Sequence, residues 1–187
     1  MTLEEALSGK EMPIEIRRSL VLLDLEYWGF DGAWHCGQLI VQRELEEDVL
    51  AIFGEIAIAR FPIAKMTPVV AYDWSDDASM ADNNSSGFNY RLALGKPKLS
   101  YHAYGRAIDI NPVQNPYIKG NLVLPAGAIY NPDVRGTLLA DGPVVAAFEK
   151  RGWTWGGRWT QLSDWHHFEK ADAQIEAAAA QAIASQT

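Results

Sequence analysis

Two short segments hold most of the residues able to do chemistry. They are Ser100-Tyr-His-Ala-Tyr-Gly-Arg-Ala-Ile-Asp109 and, about fifty residues further on, Ser163-Asp-Trp-His-His-Phe-Glu169. Together they supply two imidazoles and a carboxylate for one zinc ion (Zn2+), with a second carboxylate beside it. A catalytic zinc takes three protein ligands from His, Asp, Glu or Cys and keeps one position open for water. His102, Asp109 and His167 fill the three positions, which leaves Asp164 as a general base.

The spacing within the first segment sets a condition. On a straight strand His102 and Asp109 point to opposite faces, because their separation is odd. They meet at one metal only if the chain turns between them, and Gly105 is the residue type that permits a kink there. After it, Arg106-Ala-Ile-Asp-Ile110 reads as a short buried strand. A carboxylate in an apolar strand is costly unless paired or metal-bound, which makes Asp109 a candidate ligand. In the second segment Asp164 sits in a loop turning into a strand. There His166 and Phe168 face one way, His167 and Glu169 the other. His167 is the expected ligand and His166 its competitor. If Asp164 is not the base, Glu169 is the next candidate.

These residues resemble the zinc peptidases of peptidoglycan in family M15. The group holds D-alanyl-D-alanine carboxypeptidases, VanX/VanY enzymes and phage L-alanyl-D-glutamate endopeptidases. Its pattern, Ser-x-His-x-x-Gly-x-Ala-x-Asp and later Glu or Asp, two residues and His, stands here as Ser100, His102, Gly105, Ala107, Asp109, Asp164 and His167. The block Gly152-Trp-Thr-Trp-Gly-Gly-Arg-Trp159 is similar to the Trp-Gly-Gly-x-Trp of the phage and VanY-like branches. The run Asn83-Asn-Ser-Ser-Gly-Phe-Asn-Tyr-Arg91 resembles the segment carrying a substrate-binding arginine. The likeness spans roughly residues 25 to 170. It implies a zinc metallopeptidase acting on peptidoglycan stem peptides, with Arg91 and Ser100 binding substrate and Arg91 also stabilising the oxyanion. It also implies the small-sheet fold shared by these enzymes and the hedgehog signalling domain. The bond cut is left between L-Ala/D-Glu endopeptidase and D-Ala-D-Ala carboxypeptidase. Asp at position 164 and the Trp-Gly-Gly block lean to the first, and the Asn-rich arginine segment to the second. The competing reading is a non-catalytic, zinc-stabilised, hedgehog-like binding module, against which a retained Asp164 argues.

The whole chain fits this reading. Its 187 residues suit one domain, 48% hydrophobic and 21% charged. A formal net charge of -8 without a basic run argues against nucleic acid and anionic membranes as partners. No segment is long and apolar enough to span a bilayer. No secretory signal is visible at the N-terminus. The expectation is therefore a phage lysis enzyme or a trimmed exported bacterial protein acting on the cell wall. The single cysteine, Cys36, excludes an intramolecular disulfide and is expected as a buried structural thiol, with His35 structural as well.

The elements that must position these residues read as α+β, a small antiparallel sheet flanked by helices. A polar lead-in covers 1–19. Strands are expected over 21–27, 38–42 and 69–72, and an amphipathic helix over 44–60. Residues 75–100 read as a long functional loop, and 117–136 as a looser region covering the cleft. A helix over 143–150 ends before Gly152, and an alanine-rich helix starts at 171. Trp153, Trp155 and Trp159 are expected in the core and the cleft wall.

Overall fold

The computed structural model describes residues 1–173, 175 and 177. Two short helices, α1 (Leu3–Ala6) and α2 (Ile14–Ser19), lead into a long hairpin, β1 (Leu20–Gly29) and β2 (Trp34–Gln42). Helix α3 (Glu46–Ile58) follows, then β3 (Pro62–Ile63), β4 (Lys65–Met66), α4 (Asp76–Ala81) and β5 (Asn84–Ser85). Strand β6 (Ala107–Asp109) precedes the small hairpin β7 (Tyr117–Lys119) and β8 (Leu122–Leu124). Helix α5 (Pro143–Glu149), β9 (Thr154–Trp155), β10 (Ser163–Asp164) and β11 (His167–Glu169) complete the order.

The architecture is mixed, with small sheets and few helices, consistent with α+β. Instead of one antiparallel sheet the described strands make four small ones: β2-β1-β3, β10-β7-β8, β6-β11-β9 and the pair β4-β5. Two pairings, β1 with β3 and β4 with β5, are parallel. Most strands are only two or three residues long, too short to extend a continuous ladder.

Alternation explains the hairpin. Leu23, Leu25 and Tyr27 of β1 face inward and Asp24 and Glu26 outward, and the partner strand buries Leu39 and Val41. Helix α3 lays Val49, Ile52, Phe53 and Ile56 on that face, and α5 adds Val144, Val145, Ala147 and Phe148. Phe168 of β11 is fully buried and stacks on Phe148, ring centroids 3.9 Å apart. Burying a ring of this size stabilises by about 1.5–3 kcal/mol, so the core itself pins β11.

Several expectations need correction. Val69–Tyr72 is a 3₁₀ turn, not a strand: it follows Pro68 and ends at Asp73, whose φ is 53°. Four apolar residues do not distinguish a strand from a helical turn by periodicity. The loop over 75–100 contains α4, whose Ser75 cap accepts from Ala78 N, and the strand β5. The lead-in is more than polar, since Ala6 and Leu7 are buried in a second cluster with Leu20, Ile40 and Phe88. Cys36 is exposed, because the core-facing positions of β2 are Gly37, Leu39 and Val41. His35 lies beside it and contacts Asp31. Most of the helix expected from 171 onward lies outside the described residues.

Candidate metal centre and its cleft

Strand register brings the first two ligands together. His167 of β11 is the direct antiparallel partner of Asp109 of β6, so both side chains rise on one face. The next pair along, Phe168 and Ile108, points into the core. His102 arrives from a 3₁₀ turn over Tyr101–Tyr104 that ends at Gly105 with φ 69°. This turn resolves the odd spacing of His102 and Asp109. A Cβ at Gly105 would lie 2.6 Å from Gln42 N and 2.8 Å from Val41 C. Positive φ and backbone crowding therefore both require glycine there.

The three ligand atoms converge. His102 Nε2 is 3.1 Å from Asp109 Oδ2 and 3.2 Å from His167 Nδ1, and His167 Nδ1 is 3.0 Å from Asp109 Oδ1. Ligands about 2.0–2.1 Å from a tetrahedral zinc stand roughly 3.3 Å from one another. The triangle is thus close to the size that ion needs, and two imidazoles with a carboxylate suit zinc chemically. The residues are 2–6% exposed.

The outer hydrogen bonds leave lone pairs where a metal wants them. His102 Nδ1 lies 2.5 Å from Gly87 O. A carbonyl can only accept, so Nδ1 carries the proton and Nε2 is left to coordinate. His167 Nε2 lies 3.1 Å from Glu169 Oε2, which turns Nδ1 toward Asp109 and His102. Oriented histidines of this kind are characteristic of metal sites. Glu169 thus orients a ligand. Its position two residues from His167 on a strand placed it on that face already in the sequence, whereas the Gly87 carbonyl left no sequence signal.

His166 breaks the expected alternation because β11 starts only at His167. It is buried beside the site, with Nδ1 donating to Asn115 O at 2.7 Å. Its Nε2 is 2.9 Å from Asp164 Oδ1 and 3.9 Å from Asp109 Oδ2. Burial opposes charge on His166, but the Asp164 and Asp109 carboxylates outweigh it and push its pKa up to about 9. Burial likewise opposes charge on His167, and the contacts with Asp109 and Glu169 raise its pKa well above the ordinary value. Asp109 is held well below the usual carboxylate range: burial works against ionisation, and the surrounding imidazoles overcome it. Among the described residues, His102, Asp109 and His167 form the group able to hold a metal ion.

Asp164 sits on β10, paired with Tyr117 of β7. Its buried Oδ1 pairs with His166 Nε2 at 2.9 Å. The Trp-Gly-Gly block lies against it: a Cβ on Gly156 would come within 2.5 Å of Asp164 O, so only glycine lets the two backbones approach. Trp155 and Trp153 are core residues, and Trp155 Nε1 donates to Trp165 O at 2.8 Å. Trp159 lies over His167, centroids 5.6 Å apart.

His102, Asp109, His166, His167 and Glu169 line the floor of a cleft of about 850 Å³, which Arg91, Ser100, Trp159 and Asp164 also line. Ser100 Oγ caps the 3₁₀ turn by accepting from His102 N at 3.3 Å. Arg91 Nη2 pairs with Asp76 Oδ2 of α4 at 2.9 Å, while its buried Nε has no hydrogen-bond partner. Asp76 also accepts from Asn89 Nδ2, a support the sequence did not reveal.

Residues 94–170 match the family described as D-alanyl-D-alanine carboxypeptidase. The match includes His102, Asp109, Asp164 and His167 and begins after Arg91. Comparison with curated proteins and with solved structures gave no significant match. No helix among the described residues is long and apolar enough to cross a membrane.

Proposed function

We propose that the chain is a zinc peptidase that hydrolyses the stem peptides of peptidoglycan, on the small-sheet fold that the resemblance links to the hedgehog domain. One observation carries the reading. Three converging ligand atoms share a cleft with Asp164, a carboxylate that lines it without belonging to the ligand group. A purely structural zinc site is closed by four protein ligands and has no use for such a carboxylate.

Zinc, when bound, lowers the pKa of a water molecule and polarises a carbonyl. The protein's own groups do the rest. The Asp164 carboxylate takes a proton from the attacking water and returns it to the leaving amine. His166, charged and anchored on Asn115 O, fixes the place of that carboxylate. Gly87 O and Glu169 hold the two imidazoles with their lone pairs inward. Arg91, braced by Asp76, offers its guanidinium to a substrate carboxylate or the developing oxyanion. Ser100 uses its oxygen as a cap and retains an O–H to donate to the peptide.

Stem peptides carry D-residues and free carboxylates, which accounts for cationic side chains in the cleft of an acidic protein. Nucleic acid and membranes are not partners in this reading. The test is mass spectrometry of purified muropeptides after incubation with the zinc-loaded protein. Loss of a terminal D-alanine identifies the carboxypeptidase cut, and release of a peptide at the L-Ala/D-Glu bond the endopeptidase cut. Muropeptides left intact by fully loaded protein would contradict the reading.

A further inference from the structure

Four lysine and arginine side chains line the cleft, and they are not equivalent. Arg91 is paired with Asp76, and Arg158 with Glu149. Lys96 and Lys98 line the same cleft, and neither makes an ion pair among the described residues. They occupy one lip, a hairpin running from Arg91 to Ser100. Ala93 N donates to Lys98 O at 2.8 Å, Ser100 N to Arg91 O at 3.1 Å, and Leu92 bridges Leu99. The turn passes through Gly95, φ 67°. Since Ser100 caps the turn that carries His102, the lip is tied by backbone to the metal centre.

The two lysines are separated by Pro97, so they alternate with it and both reach the cleft. Lys98 is half-buried although uncompensated. The carboxylates of the cleft already have partners: Asp76 holds Arg91, Asp164 faces His166, and Asp109 and Glu169 contact the imidazoles. Of the cleft's lysine and arginine side chains, Lys96 and Lys98 are those left for an anionic ligand. Leu92 and Leu94, 58% and 52% exposed, add apolar contact along the same wall.

We propose that Lys96 and Lys98 form a carboxylate-binding subsite on the cleft lip, separate from Arg91, for an acidic residue flanking the scissile bond. The inference rests on the peptidase reading for the identity of the peptide, and its test is independent of turnover. Two fluorescent pentapeptide stems are compared, identical except that the isoglutamate α-carboxylate is free in one and amidated in the other. Equilibrium binding is measured by anisotropy on zinc-loaded Asp164→Asn protein, with and without the Lys96→Gln/Lys98→Gln pair. The native lysines should favour the free carboxylate by roughly three- to thirtyfold, the scale of two partly exposed ion pairs. That preference should shrink as salt is raised. The glutamine pair should erase it and Lys96→Arg/Lys98→Arg should keep it. Equal weakening on both peptides, a preference surviving the glutamine pair, or no binding of either peptide overturns the subsite. Failure of the native protein to cleave either stem, with the binding preference intact, counts against the peptidase reading alone.

Discussion

The floor and the lip of the cleft are built on opposite terms. On the floor, His102, Asp109 and His167 are almost wholly buried, locked by strand register and by the Gly87 and Glu169 contacts. On the lip, Leu92 and Leu94 are more than half exposed, and the hairpin is held mainly by its own backbone bonds. Buried polar groups need a complete set of partners, so the floor tolerates little change. The lip carries little packing, and its side chains are free to be tuned to a ligand. Arg91 lies between the two regimes, partly buried and braced by Asp76.

The sharpest way to break this contrast is to attack the floor. Alanine at His102, Asp109 or His167 should remove most of the approximately one zinc per chain, read by metal analysis on protein whose fold is checked by circular dichroism. His166→Ala should retain the metal, because its Nε2 faces Asp164. Loss of metal in His166→Ala with retention in His167→Ala would reverse the ligand choice.

Arg91 sharpens the boundary. Arg91→Lys keeps the charge without the fork and should fold, bind zinc and cleave poorly. Arg91→Ala should be worse, by about 2–4 kcal/mol in transition-state stabilisation if the guanidinium meets the oxyanion. An oxyanion donor lowers kcat, whereas a ground-state anchor raises KM alone. Normal kinetics in both variants would leave Arg91 as the structural partner of Asp76. The lysines of the lip should have smaller effects still, confined to binding.

Much of the floor was legible in the sequence because its parts are side chains at fixed spacings. The kink at Gly105 and the buried Asp109 followed from strand geometry, which also left one of the two adjacent histidines, His167 or His166, as the ligand. What was not legible came from partners distant in the chain. The Gly87 carbonyl reaches His102 only after β2 and the following segment have packed. Asp76 meets Arg91 only because Ser75 starts a helix inside what read as loop. His166 was misplaced for a local reason, since strand alternation was extended one residue before the strand begins. The division into small sheets was hidden because two-residue strands leave no periodic pattern.

The central claim is that Asp164 is the base beside a metal it does not hold. It is tested most directly by measuring zinc content and muropeptide turnover on one preparation of Asp164→Ala. The expected result is about one zinc per chain, as in the native protein, with turnover lower by at least about a hundredfold. Near-normal turnover with zinc retained would contradict the claim and move the base to Glu169, and loss of zinc would make Asp164 part of the metal site.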